Sequence, residues 1–175
     1  MEYRFLKQRD IGLSLFADFR RRQIVTDSWR KVDGKWTIVN DPFVDDWDAN
    51  EYKELTAGLK NIIMGNGMVV AAFAEGKLKG FAAVKSAPFG QHKEYLCLEY
   101  IHVSEDSRNQ GIGRVLFSKA KEWAKEHGAN KLYISAQSSV ETQAFYQAMG
   151  CVEAEEYDPE HTRLEPCDCQ LECKL

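Results

Sequence analysis

The chain has 175 residues, 44% of them hydrophobic and 29% charged. That suits one globular domain and excludes a disordered chain, a collagen-like chain and a disulfide miniprotein. With 23 basic side chains against 27 acidic ones the net charge is −4, which argues against nucleic acid as a partner, since phosphate binding needs a basic face.

In chain order, Tyr3 to Lys7 reads as a short strand. Asp10 to about Gln23 reads as a helix, with Ile11, Leu15, Phe16 and Phe19 at helical spacing. Trp29 to Ile38 reads as a hairpin, because Asp33-Gly34 suits a tight primed turn. An acidic loop follows, Asp41 to Asp48, and then a helix from Asn50 to Met64 that stops near Gly65-Asn66-Gly67.

Three strands come next: Met68 to Ala74, Leu78 to Ser86 after a Glu75-Gly76-Lys77 turn, and Glu94 to Val103. The rest alternates. A helix near 112–127 precedes a strand at 131–136. A helix at 139–149 precedes strands at 151–157 and 167–174. This order indicates an α/β or α+β three-layer fold. The expectation is one domain over residues 1–175, with a hairpin elaboration at 29–39.

No apolar run approaches the roughly 20 residues of a membrane helix, and the start Met1-Glu2-Tyr3-Arg4-Phe5 carries no signal-peptide core. The expected compartment is the cytoplasm, with no membrane partner. Five cysteines is an odd number without framework spacing. Cys167, Cys169 and Cys173, with His161 upstream, lack the usual zinc spacings. They alternate with polar residues, as on one buried strand face, so no metal is expected.

The chemistry concentrates in Glu99 to Leu116. A strand ends, a polar turn follows, and a helix opens at Gly111-Ile112-Gly113. Ile112, Val115, Leu116, Ala120, Trp123 and Ala124 make its apolar face, and Gly128 sits at its C-terminal cap. Its first turn offers free N–H groups and the positive end of the dipole, a ready phosphate or pyrophosphate site. A Walker loop would need Gly-Lys-Ser/Thr, whereas Arg114-Val115 follows here. A dinucleotide fingerprint would need a small residue at Leu116.

Arg108-Asn109-Gln110-Gly111-Ile112-Gly113 resembles the acetyl-coenzyme A loop of the GNAT superfamily of N-acetyltransferases, Arg/Gln-x-x-Gly-x-Gly/Ala. Ser139 to Cys151 is similar to the family's Asn-x-x-Ala-x-x-Phe-Tyr-x-x-x-Gly-Phe segment. The resemblance spans roughly residues 68–157, and its general look is similar to bacterial small-molecule acetyltransferases such as the streptothricin type. Ser139, Thr142 and Cys151 depart from the common residues Asn, Ala and Phe. The Ser139 change bears on one contact to the pantetheine arm.

The resemblance implies a GNAT fold, with a mixed, mostly antiparallel sheet and helices on both faces. It implies acetyl coenzyme A as cosubstrate and direct transfer to an amine. The N–H groups of Gln110 to Arg114, with Gly111 and Gly113, would hold the pyrophosphate. Asn109 belongs to the same loop, and Arg108 and Arg114 would add charge-assisted contacts. The strand Ile101-His102-Val103 would pair with the pantetheine amides along an edge splayed from the next strand. Ser139, at the position that contacts the arm, and Thr142 would also belong to the cofactor site.

Tyr146 is the candidate general acid for the leaving thiolate, with Phe145 the better core residue. Glu99 is the first candidate general base and His102 the alternative. Strand alternation puts Cys97, Glu99, Ile101 and Val103 on one face and Leu98, Tyr100 and His102 on the other. Ser138-x-x-Glu141 reads as a capping box. Asp41, Asp45, Asp46, Asp48 and Glu51, with Trp29, Trp36 and Trp47, could recognise a small cationic amine by charge and cation–π attraction. Two alternatives stay open: a non-catalytic acyl-coenzyme A sensor, and a peptide or protein N-acetyltransferase. Dimerisation is a tendency of the family.

Overall fold

The computed structural model describes residues 1–175. Its elements are β1 (Glu2–Phe5), β2 (Arg22–Val32), β3 (Lys35–Asp46), α1 (Ala49–Met64), β4 (Met68–Ala74), β5 (Lys77–Val84), β6 (Tyr95–Val103), α2 (Ile112–Glu126), β7 (Lys131–Ala136), α3 (Val140–Ala148), β8 (Val152–Glu153), α4 (Pro159–Leu164) and β9 (Cys169–Lys174). Seven strands form one sheet in the order β1-β4-β5-β6-β7-β9-β8, and β2 and β3 form a separate ribbon. Every pairing is antiparallel except β6 with β7. No helix is long and apolar enough to cross a membrane.

Both faces of the sheet are covered. On one face α2 and α3 bury Leu116, Phe117 and Ala120 against Val70, Leu96 and Leu98. On the other, α1 and the N-terminal segment bury Leu55, Leu59, Phe16 and Phe19 against Val69 and Phe81. A fully buried leucine such as Leu116 or Leu59 contributes roughly 1.5–3 kcal/mol relative to exposure. α2 crosses close over β5, because a Cβ on Gly80 would meet Ile112 and Leu116 at 3.0 Å.

Three expectations change. The helix read over Asp10–Gln23 is two short 3-10 turns, Gln8–Asp10 and Leu13–Phe16, separated by an extended Gly12, and β2 already starts at Arg22. Its apolar residues still reach the core. Phe16, Phe19 and Phe81 pack with ring centroids 5.5–6.0 Å apart, so the burial that favoured a helix is met by turns. The hairpin is longer than Trp29–Ile38. Its ladder runs from Arg22↔Asp46 to Val32↔Lys35, and the acidic stretch Asp41–Asp46 is its return strand. The turn is the expected one, with Asp33 and Gly34 at φ 48° and 77°. Finally, the strand read over 151–157 is only Val152–Glu153, followed by α4.

The ribbon is tied to the far end of β7. The Trp29 N–H donates to the Ser138 carbonyl at 2.8 Å, Ser28 bridges Ser139, and Lys31 and Trp36 both bond Glu153.

Two irregularities in β6 position the site. Its parallel ladder with β7 lasts only from Tyr95↔Lys131 to Cys97↔Tyr133, and beyond Cys97 the strands separate. Its ladder with β5 shifts between Ala83↔Tyr100 and Val84↔Leu98, which leaves Glu99 as a bulge.

Candidate active site

A cleft of about 940 Å³ opens where β6 and β7 part. It runs from the N-terminus of α2, along β6, past α3, to the segment before β9.

At the α2 end, Asn109 and Gly111 adopt left-handed conformations, φ 62° and 78°. No side chain caps the helix. None of the N–H groups from Asn109 to Arg114 donates to a protein acceptor; the first bonded donor is Val115, to Gly111. Such a run of outward donors at the positive end of a helix binds an anion. The glycines serve different ends. Gly111 supplies the left-handed φ, and a Cβ there would meet nothing within 4 Å. Gly113 supplies clearance, because a Cβ there would meet the Phe145 ring at 3.2 Å. The Arg108 Nε donates to the Val103 carbonyl at 3.3 Å. Arg114 is exposed on α2. Gln110 is exposed and does not line the cleft, whereas Ile112, itself buried, does.

Along β6, Leu98 to Val103 have no partner strand on the β7 side. Ile101 and Val103 pack on the α2 face. His102 points to the opposite face, with its ring 4.7 Å from Trp47 and 5.5 Å from Phe81. Burial, then the charges of Arg21 and Arg108, hold its pKa well below the usual value. It is a neutral ring at neutral pH and a weak base.

The α3 residues do not divide as the sequence suggested. Tyr146 is the more buried, at 5% exposure, and joins the core with Phe117. Phe145 is only half-buried, over Gly113. Both rings find cover: Tyr146 lies against Phe117, and Phe145 against Phe117 and Gly113. Tyr146 still lines the cleft. Its pKa is raised, by burial first and then by Cys151 and Asp168, so it is a protonated phenol at any working pH. Ser139 is fully buried and does not line the cleft. It caps α3 by accepting from the Thr142 N–H, and Gln23 donates to it at 3.1 Å. The cap is therefore Ser139 rather than Ser138, and the expected pantetheine contact is spent inside the fold. Thr142 does line the cleft.

The bulge corrects the alternation. Leu98, Ile101 and Val103 share one face, while Glu99 turns to the side of Cys97. Glu99 receives the Lys85 ammonium at 2.7 Å and His161 at 3.4 Å. Burial pushes its carboxyl up, but bonds from His161 and Lys85 outweigh this and hold it below the usual range. Sequence reasoning missed Asp168, on the segment before β9. It lines the same cleft. Burial, then Glu165, push its carboxyl up to about 7. The only sequence signal was an acid beside a buried cysteine, Cys169.

The acidic hairpin is mostly spent on folding. Asp41 pairs with Arg30, and Asp46 lies 3.9 Å from Arg22. Asp48 caps α1 in a reciprocal box with Glu51. Trp36 bonds Glu153, and Trp29 does not line the cleft. Asp45, Trp47 and Glu51 do. Asp45 pairs with the buried Arg21 and accepts from Gln137 at 2.6 Å. Arg21 also lies 5.4 Å from the Trp47 ring. This leaves the side-chain amide oxygen of Gln137, Oε1, and the Arg21 Nε buried without a protein partner at the cleft wall.

Comparison with known proteins agrees with this geometry. Residues 32–151 match the acetyltransferase (GNAT) family. A streptothricin acetyltransferase of Streptomyces lavendulae is 43% identical over 65 residues, which is 37% of this chain and 33% of that relative. The match thus spans a third of that protein's length. A nourseothricin acetyltransferase structure superposes with a TM-score of 0.68 at 20% identity, covering 98% of this chain and 95% of that one. A Bacillus anthracis protein assigned as a streptothricin acetyltransferase, solved with acetyl coenzyme A, gives 0.72 at 20% identity and 99% coverage of both chains. At those identities the structures establish the shared fold.

Proposed function

The chain belongs to the acetyltransferase (GNAT) family, and from that premise we propose that it transfers an acetyl group from acetyl coenzyme A to a primary amine of a small cationic acceptor. The observation that carries this reading is a continuity. The free N–H groups of Asn109 to Arg114 lead directly onto the unpaired edge of β6. The first suits a pyrophosphate, and the second suits a chain carrying amides.

Acetyl coenzyme A supplies the activated thioester carbonyl. The loop from Asn109 to Arg114 holds the pyrophosphate, with Arg108 and Arg114 adding charge. The backbone of Ile101, His102 and Val103 pairs with the pantetheine amides, and Thr142 borders the arm. As the amine nitrogen bonds the thioester carbonyl carbon and the C–S bond breaks, Tyr146, kept protonated by burial, donates its phenolic proton to the leaving sulfur, and the phenolate recovers a proton from solvent.

The two carboxylates divide the remaining work. Glu99, held ionised by Lys85 and His161, is a weak base but attracts a cation. Asp168, with its carboxyl near 7, is better matched to taking the ammonium proton. The buried side-chain Oε1 of Gln137, without a partner, accepts a hydrogen bond from the acceptor. A serine at 139 in place of the family's Asn would suit a non-catalytic module, but Ser139 is buried and caps α3, so the fold itself accounts for it.

The test is acetyl transfer from labelled acetyl coenzyme A to a panel holding streptothricin, an aminoglycoside, a polyamine and a basic peptide. Turnover of a small cationic amine supports the reading. Saturable cofactor binding with transfer to none of them overturns it in favour of a sensor. Transfer to the peptide alone makes the acceptor a protein.

A further inference from the structure

Cys97, Glu99 and His161 bring three different donor atoms to one point. Cys97 Sγ lies 3.5 Å from His161 Nε2 and 3.6 Å from Glu99 Oε2. His161 Nε2 lies 3.4 Å from that same glutamate oxygen. The three atoms make a nearly equilateral triangle. Tetrahedral zinc, with bonds of about 2.3 Å to sulfur, about 2.0–2.1 Å to nitrogen and about 2.0–2.2 Å to oxygen, sets its donors about 3.3–3.6 Å apart. The three donors meet that requirement where they stand, once the Lys85 ammonium leaves Glu99 Oε2.

Its origin is local. Cys97 is the last residue of β6 paired to β7, and Glu99 is the bulge residue of the same strand. His161 comes from α4, whose first turn is capped by Asp158. A nucleophilic Cys–His–acid relay does not explain the arrangement. In such a relay the thiol and the acid face different ring nitrogens. Here both face Nε2. Lys85 opposes a cation, since its ammonium lies 2.7 Å from Glu99. Its side chain is 40% exposed, so it can turn to solvent while the three donors stay in place.

We propose that Cys97, Glu99 and His161 bind a thiophilic divalent cation of the zinc type, with a fourth position left for water. Bonds form to Sγ, Nε2 and Oε2, and the thiol proton goes to solvent. Because Glu99 also lines the cleft, occupancy neutralises the carboxylate that attracts the acceptor. On the reading that Glu99 attracts the acceptor, the cation raises the acceptor KM.

The test uses the full chain, freed of metal with a chelator and titrated with Co²⁺ and then Zn²⁺. The expected result is a thiolate-to-cobalt band in the near ultraviolet with strong tetrahedral d–d bands, displaced by one equivalent of Zn²⁺. Cys97→Ser and His161→Gln each abolish the band and weaken Zn²⁺ binding by at least about tenfold. Cys173→Ser, which removes a buried thiol of the core that packs against α2, leaves the band unchanged. No thiolate band in the native protein overturns the proposal. So does a band that survives His161→Gln or is lost only with Cys173→Ser. His161 is half-buried on a short helix, so His161→Gln decides the matter if Cys97→Ser does not fold.

Discussion

Gly113 lies beneath the ring of Phe145, so that a Cβ on the glycine would come within 3.2 Å of the ring. One contact thus locks the first turn of α2 to the helix that carries Tyr146. Gly113→Val overfills this space and is expected to cost about 1–3 kcal/mol. Because the loop and α3 must then part, acetyl-coenzyme A affinity falls as well. Thermal unfolding and calorimetric titration of the variant check both parts. A variant with native Tm and native affinity contradicts this account of the glycine.

Asp168 gives a pH dependence with a defined sign. Its carboxyl rises from 3.8 to about 7 on folding. The folded state therefore binds this proton more tightly than the unfolded state. The stability it contributes is full below pH 4 and is lost as the pH rises through 7. Asp168→Asn keeps the neutral form at every pH. Relative to the native protein, the variant gains stability between pH 5 and pH 8. Urea unfolding at those two values checks this. The same variant is expected to lose roughly 10²-fold in kcat, with the acid limb of the pH profile near 7 removed.

Glu99→Gln separates attraction from proton transfer. The charge that faces the acceptor is lost while the shape is kept. KM for a cationic acceptor is expected to rise roughly tenfold, about 1.4 kcal/mol, with kcat changed little. The native KM should also climb with salt while the variant's stays flatter. A fall in kcat equal to that of Asp168→Asn would assign the proton to Glu99 instead.

The Arg21–Asp45 pair anchors the ribbon to the cleft. Arg21 keeps 8% and Asp45 23% of side-chain exposure. Asp45→Ala leaves a buried guanidinium unpaired and is expected to cost about 3 kcal/mol. Arg21→Met with Asp45→Ala, which removes both charges, should recover most of that loss. A double-variant cycle by urea unfolding measures the coupling.

Much of the cofactor side was legible in the sequence, because its requirements are local. Gly111 must be left-handed, α2 has a continuous apolar face, and the aromatic pair follows at fixed spacing. The acceptor side was not legible. Ile11, Phe16 and Phe19 have helical spacing, yet turns bury them equally well. Asp41 to Asp46 looked like a solvated loop, yet cross-strand pairing with Arg22 to Val25 makes it a strand. Glu99 keeps the face of Cys97 but not that of Ile101 and Val103, because a bulge is a two-strand feature that one strand's alternation does not reveal. Asp168 and His161 reach the site only through the order in which β9 and α4 return to β7. No spacing within their own segment announces that.

The central claim is that Tyr146 acts as acid in a cleft that holds acetyl coenzyme A. The most direct measurement is Tyr146→Phe, with cofactor affinity and single-turnover acetyl transfer read on the same preparation. The ring stays, so packing against Phe117 and Phe145 is kept. The account predicts unchanged acetyl-coenzyme A binding and a loss of about 10²–10⁴-fold in the transfer rate. Native transfer by the variant, or no cofactor binding by the native protein, would contradict it.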